Sequence, residues 1–433
     1  MKKEVFKNAG WIIGCKLAQS VCAFIIGAFT ARYLGPSNYG LISYAASIVA
    51  FFVPIMQLGF SSTLVREIID RSGNEGKVLG TALVFNVISS IACVIGITTF
   101  SVIATPTQHE TIIVCFLYSL TLVFQATEMT QYWFQAKLLS KYPSIVSLVA
   151  YFIVSLYKVY ILVDGKTVGW FAVTHVIEAM IIASLLMVIY FKLSKQKLSF
   201  SMKLGKEMFS RSKHYIGPAM MVIIFQHTDQ LMLKWMIGET VTGYYAASMT
   251  CVGIFGFVYT AIISSARPII LEAKKKSEQE FKENIVVLYS IIIMLSIAQS
   301  IGMTVFAKLF VGIIFGDTYL SATPMLRIAV WCVAFGNFGS VRNIWILAEN
   351  QQRHLWKINI SGAILNVILN FILIPIADGC GAAIATLVTQ IFTNFIIGFV
   401  IKPIRPNNEL LLKSFHPRNS IGSIKKIINK KSF

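Results

Sequence analysis

Residues 28–47, AFTARYLGPSNYGLISYAAS, join two apolar runs, 10–29 and 41–58. Each run is about 20 residues long, the length a helix needs to cross roughly 30 Å of hydrocarbon. The joint is a short turn broken by Gly35, Pro36, Asn38 and Gly40. About 200 residues on, the pattern returns as LKWMIGETVTGYYAAS, residues 233–248. Gly238 and Gly243 repeat the spacing of Gly35 and Gly40. Ala246-Ala247-Ser248 echo Ala45-Ala46-Ser47, and Arg267 follows the second hairpin as Arg66 follows the first. These matches, in one order, predict a chain built as two repeated halves.

The class follows from composition. Of 433 residues, 56% are hydrophobic and 13% charged, with a mean hydropathy of +0.71. A soluble domain carries about 25% charged residues. The chain is therefore expected to be an all-α polytopic membrane protein. Twelve spans are predicted: 9–29, 40–59, 78–104, 111–131, 143–163, 167–191, 214–237, 242–264, 284–307, 322–341, 355–376 and 379–401. A short amphipathic helix is expected in the loop 61–77. The opening MKKEVFK precedes a run too long for a signal-peptide core and lacks a clear A-x-A site, so a retained first helix is expected. Seven cysteines form no C-x-x-C pair and fall mostly in apolar runs, as small apolar filler does. No metal-ligand spacing, phosphate-binding loop or nucleophile elbow appears, so neither a cofactor nor an enzyme is expected.

Loop charge gives the orientation. With the N-terminus inside, 31 of the 38 Lys and Arg residues fall in inner segments and 4 in outer ones: Arg32, Lys166, Lys234 and Lys308. Lys16, Lys158 and Arg327 fall within spans. Both termini are thus expected in the cytoplasm. The net charge of +19 marks topology and attraction to anionic lipid at the basic inner loops, not nucleic acid binding. Helices 1 and 7 then run the same way, so the repeats are parallel, related by an axis along the membrane normal. This gives an N-terminal six-helix lobe over 1–197, a basic cytoplasmic linker over 198–213, a C-terminal six-helix lobe over 214–401 and a basic cytoplasmic tail over 402–433. Two such lobes suit alternating access. Outer loops such as 105–110 and 164–166 are too short to carry an extracellular domain, and no inner loop can hold a nucleotide-binding or sugar-transfer domain.

Function must then rest on polar groups within or beside the spans, where ionisable side chains are costly. Lys16, with Gln19 one turn on, and Arg327 are candidates for a lumen, whereas Lys158 is placed to reach the headgroups. Gln226, Asp229 and Gln230 share one helical face beside His227. Asp229 is too short to reach the interface, so it is expected to pair with a base or to bind a proton or cation. His175 pairs with Glu178 in the sixth span; Gln125, Glu128 and Gln131 line up in the fourth. Asn366 with Asn370, and Gln390 with Asn394, are i, i+4 pairs that serve helix packing as readily as substrate.

The stretch ARYLGPSNYGLISYAAS after a span holding Lys16, then LVRE after the second span, resembles the polysaccharide-exporting flippases. These belong to the multidrug/oligosaccharidyl-lipid/polysaccharide exporter superfamily. DQLMLKWMIGETVTGYYAAS is similar to that family's seventh-to-eighth helix hairpin. The motif residues are Arg32, Gly35, Pro36, Tyr39 and Gly40. The resemblance implies a MATE-like architecture that flips undecaprenyl-diphosphate-linked oligosaccharide across the inner membrane of a bacterium, supplying O-antigen (lipopolysaccharide), capsule or a similar polymer. It implies coupling to H⁺ or Na⁺ and work alongside polysaccharide polymerase machinery. Arg66 and Arg267 match the family's basic positions after the second and eighth helices. With Lys16, Arg327, Gln226 and Asn370 they form the expected substrate path, with Asp229 as coupling or charge-pair residue. Two other classes are a cation-coupled multidrug antiporter and a membrane-embedded glycosyl or acyl transferase; the short outer loops disfavour the second.

Overall fold

Gly35 takes φ 70° and ψ 172°, a backbone that a residue with a Cβ adopts only at a cost. Nothing stands within 4 Å of where a Cβ would lie, so the angle demands glycine, not the space. The first two spans run through it as one helix, α1 (Lys2–Met56), kinked at this point. Gly238, its counterpart in the second repeat, has φ 130° and is equally open. Tyr44 and Tyr245, each immediately before the repeated Ala-Ala-Ser, are both buried.

The computed structural model describes the backbone of residues 2–194 and 196–415, and leaves out the side chains of residues 2–13, 16 and 17. The Lys16 side chain and the tail segment 416–433 therefore lie outside the described residues. Among those described, every regular element is a helix. After α1 come α2 (Leu64–Asp70), α3 (Glu75–Ala104), α4 (His109–Ser119), α5 (Thr121–Thr127), α6 (Gln131–Ala136), α7 (Lys141–Val163), α8 (Val168–Leu193), α9 (Met202–Ser212) and α10 (Ile216–Met236). The chain continues through α11 (Glu239–Gly253), α12 (Gly256–Lys276), α13 (Glu278–Val305), α14 (Ala307–Phe315), α15 (Thr323–Ala329), α16 (Cys332–Ala348), α17 (Leu355–Ile391), α18 (Ile397–Val400) and α19 (Arg405–Ser414).

Among the described residues, seven helices are long and apolar enough to cross a membrane, and up to nine if each bent pair is one span. The pairs are α11 with α12, bent by 43°, and the segment Asp317–Ala329 with α16, bent by 44°. Two long runs each hold two spans, divided at Gly35 in α1 and at Ala377–Asp378 in α17. Including α10, whose His227, Asp229 and Lys234 lower its hydropathy, the described residues form about twelve spans. α14 is an apolar helix between the spans expected at 284–307 and 322–341.

The chain divides into two compact units, 1–234 and 235–433. In the first, one core cluster gathers Tyr44, Ile48, Cys115, Leu122 and Phe171. A second, at the basic end, gathers Phe60, Leu79, Trp133 and Tyr190, with Leu204 and Met208 of α9. The basic segment after α8 is thus bound down on this unit. Gln196 accepts a hydrogen bond from the Gly76 N–H at 2.9 Å, and the Ser201 N–H donates to Thr81 Oγ1 at 3.1 Å. Two charged groups close the same face. Buried Glu75 accepts from Trp133 Nε1 at 3.0 Å and pairs with Lys137 at 2.5 Å. Buried Glu67 pairs with Arg71 at 3.2 Å and Arg211 at 3.1 Å.

The strap lies so close that a Cβ on Gly76 would stand 2.4 Å from the Lys197 carbonyl oxygen. Backbone is on both sides, so neither can yield cheaply. Gly76→Ala is expected to cost about 1–3 kcal/mol, as overpacking does. A thermal shift assay in detergent checks this: an unchanged melting temperature would mean that the strap lifts freely.

In the second unit the core joins Tyr259, Phe281, Tyr289, Phe338 and Trp345 to Ile404, Leu410 and Leu411. The last three bring the beginning of the expected tail into the core, with α19 as a packed helix. A π-helical turn, Phe392–Ile396, precedes α18. Such a turn frees carbonyls from the regular ladder. Two side chains cap them: Arg342 Nη1 donates to the Thr393 carbonyl and Asn408 Nδ2 to that of Phe395, both at 2.5 Å. Arg342, counted from sequence as an inner-edge charge, is buried.

Candidate functional site

The first unit contains a polar cavity of about 350 Å³. α1 supplies its apolar wall with Ala46, Val49, Ala50 and Val53. These lie just beyond Gly40, on the half of α1 that the Gly35 kink redirects. α4 contributes Tyr118, α5 contributes Thr121 and Gln125, and α8 contributes His175, Glu178 and Ala179. Glu128 enters from a 3₁₀ turn, Glu128–Thr130, between α5 and α6. A 3₁₀ interruption within a span re-aims a side chain and often marks a functional hinge.

The Tyr118 and His175 rings lie 4.9 Å apart, centroid to centroid. Thr121 turns its hydroxyl back to the Tyr118 carbonyl at 2.7 Å, which leaves Gln125 and the two carboxylates as the open polar groups. Neither the Glu128 nor the Glu178 carboxylate makes a hydrogen bond or ion pair with another described residue. Lys158 of α7 is buried, with 8% of its surface exposed, and close enough for its charge to act on His175 and Glu178. It does not reach out to headgroups as its position near a span end suggests. The cavity thus sets two carboxyl groups, an imidazole, a phenol and an amide between helices of the first unit, with one ammonium behind them. It can hold a proton or a small cation, or accept hydrogen bonds from a polar ligand.

The residues expected to line the substrate path are placed elsewhere. Arg66 on α2 is exposed and pairs with Asp70 at 3.3 Å. Arg267 on α12, Arg327 on α15 and Gln226 on α10 are exposed. Asn370 is fully buried on α17, donating to Asn366 Oδ1 at 3.1 Å. Asp229 is buried on α10 in the first unit. The motif residues lie around the α1 kink: Arg32 is exposed, Pro36 and Tyr39 are half-buried, and Gly40 is buried. None of these lines the cavity. Its own groups were visible only as separate sets, His175 with Glu178 and Gln125 with Glu128 and Gln131, of which Gln131 does not line the cavity; the sequence carries no signal that both sets face one space.

Comparison with known proteins places this geometry. A search of solved structures finds Lipid II flippase MurJ in an inward closed conformation, with a TM-score of 0.75 at 14% identity, covering 98% of this chain and 93% of that one. An inward-facing multidrug resistance MATE family transporter of the MOP superfamily matches with a TM-score of 0.67 at 14% identity, covering 92% and 96%. The fold is theirs. An uncharacterized membrane protein of Methanocaldococcus jannaschii is 30% identical over 202 residues, which span 46% of this chain but only 39% of that relative's length. The model of a family described as "Polysaccharide biosynthesis protein" matches residues 29–324, over half of the sequence. The chain belongs to that polysaccharide biosynthesis protein family.

Proposed function

We propose that this protein flips undecaprenyl-diphosphate-linked oligosaccharide from the inner to the outer leaflet of a bacterial cytoplasmic membrane by alternating access. The observation that carries this reading is the family match over 29–324 on a twelve-span transporter fold. The chemistry agrees with it. A lipid diphosphate bears about two negative charges, and carrying them unpaired across roughly 30 Å of hydrocarbon is prohibitive. Arg66, Arg267, Arg327 and Lys16 offer point-charge and forked contacts to phosphate. The glycan is of the O-antigen, lipopolysaccharide or capsule type, handed on to polymerase machinery, and anionic lipid steadies the basic loops.

Coupling is assigned to the Glu128–Glu178 cavity, with H⁺ as the ion and Na⁺ as the other outcome. Asp229 serves as a charge partner on the same unit. Both termini are cytoplasmic. An impermeant thiol reagent should therefore label Gln108→Cys in intact cells, in a cysteine-depleted background. Protection there, with labelling at Lys203→Cys instead, would invert the orientation.

One observation favours a second reading, a cation-coupled drug antiporter: the cavity is acidic, as a site for cationic drugs would be. A single reconstitution separates the two. Purified protein in liposomes is given undecaprenyl-diphosphate-linked oligosaccharide in one arm and ethidium in the other. Protein-dependent exposure of the sugar to an impermeant glycosidase is expected. Ethidium movement without sugar exposure would replace the flippase by the antiporter.

A further inference from the structure

The repeat motif Tyr-Ala-Ala-Ser is used differently in its two copies. Ser248 is a static tie within the second unit: its Oγ lies 2.9 Å from the Tyr244 carbonyl and 3.0 Å from that of Ala322, both backbone acceptors. Ser47 has one such acceptor, the Ser43 carbonyl at 2.9 Å, while the other is a side chain, Gln230 Oε1 on α10, at 2.5 Å. His227 Nδ1, one turn earlier on α10, stands 3.3 Å from the same hydroxyl. Further along α10, Lys234 Nζ donates to Gln108 Oε1 at 2.8 Å and lies over the Tyr44 ring, 5.8 Å from its centroid. All these groups belong to the first unit.

The attachment of α10 is one-sided. Its buried residues are Thr228, Asp229, Leu233 and Lys234; from Ile216 to Gln226 none is buried. The helix is held at the Gly238 end and stands clear along the rest. The hold combines these polar contacts with two apolar ones, buried Leu233 and Leu231 packed against the core of the first unit. The Ser47 hydroxyl can also let go without becoming an orphan in hydrocarbon. A serine hydroxyl has one proton, and when Gln230 withdraws that proton still has the Ser43 carbonyl one turn back, a common resting bond for a helical serine.

We propose that Ser47, Gln230, His227 and the Lys234–Gln108 pair form a releasable latch, closing α10 against α1 at the end that the loop charges place outside. Its opening is a required step of the transport cycle, so the role rests on the carrier reading proposed above.

Two measurements test it in the full-length protein. Ser47→Cys with Gln230→Cys, in a cysteine-depleted background, is bridged by a short bifunctional thiosulfonate in liposomes. Bridging is expected to slow sugar exposure by roughly tenfold or more, as arrest of a gating motion does, with recovery on reduction. Equal rates before and after reduction in an active protein overturn the latch and leave the flippase reading intact. The second measurement needs no substrate. Nitroxides at Ile103→Cys and Ile237→Cys, both exposed in the native chain, report the distance at this end by pulsed electron resonance. Ser47→Ala with Gln230→Leu is expected to add or enlarge a longer-distance population. A distribution identical to that of the parent overturns the latch. A lengthened distribution in a protein that exposes no sugar would support the latch while removing the flippase reading.

Discussion

Export falls by roughly 5- to 150-fold, the usual span of coupling between two sites, when Glu128 and Glu178 are both replaced by glutamine. Glutamine keeps the size and one acceptor but cannot exchange a proton or neutralise a cation. Both carboxylates face one cavity and lack described ion-pair partners, so the exchange should leave folding and membrane insertion close to normal. Each single variant should keep part of the activity, because the remaining carboxylate still offers one site. The residual transport of the double variant should no longer respond to an uncoupler. Surface glycan measured at matched protein levels, with and without uncoupler, gives both readouts. Parental export with intact uncoupler sensitivity in the double variant would remove the cavity from the coupling path.

Asp229→Asn is the second large effect. Asp229 is 3% exposed on α10, adjacent in sequence to the latch residue Gln230. A carboxylate at that depth persists only if it has a partner or a proton. Asn keeps the shape and removes the charge, so export should fall roughly tenfold or more with protein still in the membrane. Asp229→Glu should retain part of the activity, since the charge is retained. D229N export equal to the parent would reduce the residue to helix packing. Loss of the protein from the membrane would make its partner a structural salt bridge instead.

How far such sites could be foreseen depends on the distance over which each is built. Gly35 and Gly238 were legible because a backbone angle is a local property, and their five-residue spacing to Gly40 and Gly243 repeats. The spans were legible because hydrocarbon thickness fixes their length. His175 with Glu178 could be paired because i, i+3 is a geometric neighbour on any helix. That Glu128 joins them depends on a 3₁₀ turn and on the packing of α5 against α8, which no local pattern encodes. Lys158 looked free to extend toward water, and only the neighbouring helices reveal that it is covered. The beginning of the tail read as polar and basic, yet Leu410 and Leu411 carry it into a core. Arg342 looked like a loop-edge charge because the carbonyl it caps, that of Thr393 in a π turn, lies some fifty residues away.

The strap from Gln196 through α9 bears on how the chain can be divided. Two similar halves invite the thought of two separate genes, cut where the resemblance restarts. Such a cut at about residue 197 would strip the first half of Leu204 and Met208, which fill its own core, and of Arg211, which neutralises its buried Glu67. It would also leave Gly59, whose Cβ position lies 2.2 Å from the Ser212 carbonyl oxygen, facing empty space. A pair of half-chains that reassemble should therefore be broken no earlier than after Ser212. Co-expressed fragments 1–212 and 213–433 are expected to recover in the membrane, and fragments 1–197 and 198–433 to be degraded.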